Sequence, residues 1–172
     1  MAVSNRAHFA ISQQLVPGLI NAGLNGWIAW GMHHDKAVLP LWGHDGYAGD
    51  LVATGVLLPG ITWLILRPLL LKQAAAGKAP ALDGIPPPWA SRFLAATLWR
   101  GAAAIGLVGG IIGLLVAVLL QGLGAPAIPG ESYGWYKGLY GGLLPVLLQP
   151  SMTYTVLRNA AAAPASGSRS AC

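Results

Sequence analysis

The sequence predicts an all-α membrane protein in which four transmembrane helices form two tandem, parallel helical hairpins with both termini in the cytoplasm. Three observations carry that expectation. Of 172 residues, 55% are hydrophobic and only 9% charged, at a mean hydropathy of +0.58, whereas a soluble domain carries about 25% charged residues. Four stretches reach the roughly 20 apolar residues that a bilayer core requires. The basic residues gather on one side of those stretches. The same composition excludes a disordered chain, and the single cysteine, Cys172, excludes a disulfide scaffold. The net charge of +5 does not make a nucleic-acid surface, because lysines and arginines punctuate apolar stretches instead of forming one patch.

The first hairpin is expected over 1–71, with spans at about 9–31 and 48–71. Span one is interrupted by Gln13, Gln14, Pro17, Asn21 and Asn25. Those interruptions argue against a cleaved signal peptide despite the preceding Arg6, so the segment is expected to be retained. Residues 72–96 form a cytoplasmic linker in which Pro86-Pro87-Pro88 favours an extended conformation. The second hairpin follows over 97–158, with spans at about 97–121 and 134–157. Span four contains Pro145 and Pro150, which a membrane helix tolerates when neighbours satisfy the freed carbonyls. The tail 159–172, of Ala, Ser, Gly and Pro, is expected to be disordered.

Orientation follows from charge. Arg6, Arg67, Lys72, Lys78, Arg92, Arg100, Arg158 and Arg169 fall on one side, and only Lys36 and Lys137 on the other. The positive-inside rule makes the first side cytoplasmic. Asp35, Asp45, Asp50 and Glu131 lie on the outer side and Asp83 on the inner. Trp30, Trp42, Trp89, Trp99 and Trp135 sit near the span boundaries, as an aromatic belt requires.

The chain also reads as a tandem repeat. A shift of 86 positions aligns Asp45-Gly-Tyr47 with Glu131-Ser-Tyr133, and Gly55-Val-Leu-Leu-Pro59 with Gly141-Gly-Leu-Leu-Pro145. Pro40 with Pro126 and Gly23 with Gly109 fall on the same offset. Each unit is a helix, an outer loop and a helix expected to be broken in its first half by proline. Two spans per unit insert both copies with the same orientation, about a pseudo-twofold axis along the bilayer normal.

Polar residues inside the spans are the candidate working parts. Gln14, Gly18, Asn21 and Asn25 fall within about 60° on one helical face, and a carboxamide in the membrane faces protein or water. Gly106, Gly109, Gly110 and Gly113 give span three a face of small residues that admits another backbone, making that span a natural partner for the stripe. In span two Asp50 and Thr54 start a four-residue recurrence. Pro59 and Pro145 free carbonyls at corresponding positions of the two repeats, a pattern that marks substrate sites in transporters. Helix packing is the more common role of such residues, and the spans lack a midplane charge of the kind ion-coupled pumps use.

The outer loop offers His33, His44 and Asp45 as metal-ligand candidates by residue type. Their spacing matches no metal motif, and no histidine pair lies on facing spans to hold haem. No cofactor is expected. No Walker or His-Glu-x-x-His motif occurs.

Two runs carry a family resemblance: Gln14-Leu-Val-Pro-Gly-Leu-Ile-Asn21 with Asn25-Gly-Trp-Ile-Ala-Trp30, and Pro40-Leu-Trp-Gly43 followed by Ala48-Gly-Asp50 and Ala53-Thr-Gly-Val-Leu-Leu-Pro59. Over about residues 14–65 the chain resembles small bacterial integral membrane proteins of uncharacterised function. The resemblance implies a bacterial inner-membrane location and lends no activity or cofactor. Three functions are then expected in order: an accessory or assembly subunit of a membrane complex; a small-solute permeation or transport unit with a polar path between the hairpins; and a metal-dependent membrane enzyme using the outer-loop His/Asp cluster. The expected partners are the lipid bilayer and either further copies of the chain or a larger membrane complex.

Overall fold

The structure is a computed structural model that describes residues 15–79, 87–94 and 97–162. Gln14, Arg6, Asp83 and the tail beyond 162 lie outside the described residues. Among the described residues the chain is all-helical: α1 Val16–His33, α2 Tyr47–Ala75, α3 Leu98–Gly122 and α4 Gly130–Ala162. A 3₁₀-helix, Trp89–Phe93, precedes α3, and two-residue strands β1 (Leu39–Pro40) and β2 (Ala127–Ile128) interrupt the α1–α2 and α3–α4 connections. Pro17 stands in the first turn of α1, where its missing N–H costs nothing. Asp50 lies in the first turn of α2 and Glu131 in that of α4, both favourable to the helix dipole.

The prolines do not break the helices. α2 continues through Pro59 and Pro68, and α4 through Pro145 and Pro150, which corrects the expectation of helices interrupted in their first halves. The reason is packing. Pro59 frees the carbonyl of Gly55, and that carbonyl lies so close to Gly109 of α3 that a Cβ there would stand 2.0 Å from it. The Pro59 ring rests on the same glycine, so the helix is held where its own ladder is weakest.

The helices do not pack as two hairpins. α1 runs antiparallel along α4, α2 antiparallel along α3, and α2 meets α4 in parallel at the centre. α1 does not lie along α2, although the two are consecutive. Small residues explain the choice. Gly106, Gly109, Gly110 and Gly113 are all buried against Leu51, Gly55 and Val56 of α2. Gly134, Gly138 and Gly142 of α4 receive α1 at Gly18, Ala22 and Gly26. The polar stripe of α1 therefore faces α4, and the glycine face of α3 belongs to α2, contrary to the pairing read from the sequence.

The α1–α2 and α3–α4 connections clasp each other. β1 pairs antiparallel with β2, Leu39 opposite Ile128 and Pro40 opposite Ala127. Leu41 N–H donates to Pro126 O at 2.7 Å, Gly130 N–H to Lys36 O at 3.0 Å, and Tyr47 OH to Ala125 O at 2.7 Å. At the opposite end the 3₁₀-helix packs against α4.

The core runs through Leu51, Trp63, Ile105, Tyr133, Leu144, Leu148 and Met152, together with buried polar Lys137, Gln149, Ser151, Thr153 and Thr155. Large apolar side chains instead cover the outer faces: Leu19 and Trp27 on α1, Leu57 and Ile65 on α2, Leu107 and Leu115 on α3, Leu139 and Leu147 on α4. The five boundary tryptophans are exposed, whereas Trp63 is fully buried on Gly101 and donates to Leu98 O at 2.9 Å. By length and composition, α2 and α3 are each able to cross a membrane.

Candidate functional site

The strongest concentration of polar chemistry lies near the C-terminal end of α1 and the N-terminal ends of α2 and α4. Asp50 is in the first turn of α2, and Lys137 is two turns into α4. Because these helices run parallel, the two side chains meet at similar depth. Lys137 Nζ forms an ion pair with Asp50 Oδ2 and donates to Asp50 O at 3.2 Å. Tyr133, one turn before Lys137, donates its hydroxyl to the same carboxylate oxygen. The pair is asymmetric: the Lys137 side chain is 5% exposed and that of Asp50 42%.

Aromatic rings wall the pair. Tyr133 packs 5.5 Å from Tyr47 and 5.4 Å from His33, the latter edge-on. His33, the last residue of α1, has a buried Nδ1 with no hydrogen-bond partner among the described residues. Burial holds its imidazole below the ordinary histidine pKa, and nearby Lys36 adds to that effect.

A cavity of about 200 Å³ opens beside these groups. Asn25, His33, Asp50, Thr54 and Lys137 form its polar walls, and Ile28, Ala29 and Met32 its apolar wall. Four residues selected from the sequence, Asn25, His33, Asp50 and Thr54, thus converge on one space. Asn21 does not: its amide donates to Pro17 O at 3.0 Å within its own helix, as that of Asn25 does to Asn21 O at 2.9 Å. Pro59 and Pro145 are buried away from the cavity.

Among the described residues the polar cluster gives way to an apolar layer along α4. The core-facing positions of α4 run Tyr133, Lys137, Tyr140, Leu144, Leu148, Ser151 and Thr155, recurring every three or four residues. Leu144 and Leu148, 1% and 0% exposed, form an apolar layer beneath the cluster. Tyr140 OH, which lies close to Gly55 and Gly113, is buried and unpartnered among the described residues just above that layer. Below it, Thr155 Oγ1 donates to Ser151 O at 2.8 Å.

His33, His44 and Asp45 do not come together. His44 and Asp45 are exposed neighbours 3.8 Å apart, while His33 faces the cavity. Among the described residues no group of three or more His, Cys, Asp or Glu is placed to hold a metal.

No protein-family model matches the chain, and neither a curated protein nor a solved structure is similar to it. The chemistry of the site therefore rests on its own residues.

Sequence reasoning missed Lys137 and Tyr133 as site residues, treating the lysine only as an outer-side charge. A usable signal existed. Asp50 lies three residues after Tyr47, and Lys137 four after Tyr133, the tyrosine aligned with Tyr47 by the 86-residue shift. Two opposite charges at matching depths of repeat-related helices are candidates for a pair.

Proposed function

We propose that this chain is a small polytopic inner-membrane protein that admits a small polar solute from the outer side into a site between α1, α2 and α4, the outer half of a permeation unit. The observation that carries the reading is the Asp50–Lys137 ion pair bordering a cavity inside the bundle. Ionisable groups within a membrane are costly, and by default they mark a functional site. Leu144 and Leu148 beneath the cluster favour a closed, outward-facing state over an open pore.

The same proposal includes four spans with both ends in the cytoplasm and an origin by duplication. Apolar residues outward on every helix, with threonine, serine and lysine inward, support four spans. Two registers support the duplication. Under the 86-residue shift the ladder pair Pro40–Ala127 maps onto Pro126–Leu41, which is also hydrogen-bonded. Moving Gly55 and Gly109 by that shift in opposite senses gives Gly141 and Gly23, and the contacts Gly138–Gly26 and Gly142–Ala22 lie on the same diagonal.

Thiol accessibility tests the solute site. In a Cys172→Ser background, Thr54→Cys should react with a membrane-impermeant reagent added to the outside of intact cells, and Leu144→Cys should not. An unreactive Thr54→Cys would reject an outward-open site.

A second reading, an accessory subunit of a larger assembly, is favoured by one observation. Between α1 and α4 lies an outward apolar groove of about 840 Å³, with Gly23, Gly26 and Gly138 at its floor and Trp27, Trp30 and Trp135 along it. Native mass spectrometry of the wild type and of Gly23→Trp, which fills the groove, separates this reading. A subunit retained by the first and lost from the second supports it.

A further inference from the structure

We infer that the cavity between α1, α2 and α4 binds a small zwitterion bearing an apolar side group, in the size class of an aliphatic α-amino acid. The inference rests on reading this cavity as a solute site, and it adds the chemical class of the solute.

Opposite charges share one wall of the cavity. Asp50 Oδ2 is occupied by Lys137 and Tyr133, and no bond to the other carboxylate oxygen occurs among the described residues. Lys137 meets Asp50 Oδ2 and Asp50 O, which leaves one of its three protons unassigned. A carboxylate oxygen and an ammonium proton are therefore available together, from a pair that need not separate.

Net charge decides the class. The pair is neutral as a unit, and burial favours the neutral form of His33 beside it. A simple cation or anion would add an uncompensated charge next to Lys137, a group only 5% exposed, and such a charge is expensive away from water. A zwitterion adds none: its ammonium meets Asp50 and its carboxylate meets Lys137. Ile28, Ala29 and Met32 on the remaining wall suit an apolar side group. A volume of about 200 Å³, at about 30 Å³ for each water-sized group, holds roughly seven non-hydrogen atoms. That is the range between alanine and valine.

The experiment is calorimetric titration of the purified full chain in lipid nanodiscs at neutral pH. The probes are L-valine, isobutylamine, which lacks the carboxylate, and isovalerate, which lacks the ammonium. Valine should bind roughly tenfold or more tightly than either, the scale of one charged hydrogen bond. Thr54→Leu, which fills the cavity without touching the ion pair, should weaken valine by a similar factor, and Lys137→Met should abolish it. Equal binding of isobutylamine or isovalerate would overturn the zwitterion class while leaving the solute site standing. Valine binding unchanged in Thr54→Leu would also overturn it, by locating the ligand elsewhere. If no probe binds while Thr54→Cys still reacts from outside, the zwitterion fails alone; if Thr54→Cys is unreactive as well, the solute site fails with it.

Discussion

Lys137 and Asp50 are unequal partners, and the inequality sets what their removal does. Lys137 is sealed in the bundle, whereas the Asp50 carboxylate is half-exposed and keeps the Tyr133 hydroxyl. Asp50→Asn leaves a buried ammonium without its counter-charge, a change that costs about 3–5 kcal/mol. Lys137→Met leaves a carboxylate that water and Tyr133 still satisfy, so its cost should be clearly smaller. Thermal unfolding of the two variants in detergent checks the order, and equal losses would refute the asymmetry. His33 yields a second residue-scale prediction. Its pKa in the folded chain lies below the ordinary value near 6.5 because burial disfavours the imidazolium. Lys36 and Lys137 push it the same way, and Asp50 and Asp35 oppose them. The folded state therefore holds fewer protons here than the unfolded one, and stability present above pH 6.5 falls as the pH drops through that value. Melting curves between pH 8 and pH 5 should show this fall, and His33→Gln should flatten it.

The contacts between helices turn on a few glycines, and not on every glycine of the spans. At Gly109 an added methyl would meet the Gly55 carbonyl at 2.0 Å, and backbone cannot move aside as a side chain can. Gly109→Ala should therefore force α2 and α3 apart and cost about 1–3 kcal/mol, the range of overpacked cores. Gly23 aligns with Gly109 in the repeat, yet nothing lies within 4 Å of the methyl it would gain. Gly23→Ala should be neutral, or stabilising by up to ~1 kcal/mol through helix propensity. Chemical denaturation of both variants makes the comparison. The sequence revealed that span three carries a small-residue face, but not which helix occupies it. Small residues specify close approach and say nothing of the partner, so the stripe of α1 was paired with the wrong helix. The same limit applies to proline. Pro59 marks a freed carbonyl at Gly55, but whether the helix breaks depends on Gly109, which is distant in sequence.

At the scale of the whole molecule, the apolar exterior and the one-sided basic residues make a joint prediction about orientation. In a Cys172→Ser background, Lys36→Cys should react with an impermeant thiol reagent from outside intact cells, and Lys78→Cys only after permeabilisation. Both positions are exposed, so burial does not confound the result. Labelling of Lys78→Cys from outside would reject cytoplasmic termini and the site orientation that depends on them.

What the sequence determined by itself is what composition and local periodicity encode: a helical chain, apolar stretches long enough for a bilayer, small-residue faces, and Asn25, Asp50 and Thr54 as polar residues needing cover. These follow from each residue's own cost of facing lipid or water, which requires no knowledge of neighbours. Only the tertiary structure decided that α1 lies along α4, that α2 and α4 run parallel, and that Lys137 and Tyr133 therefore meet Asp50. Leu144 and Leu148 likewise become a buried apolar layer only once α4 packs between α1 and α2. Interactions across more than 80 positions depend on how whole helix faces fit together, and no local pattern in the chain carries that information.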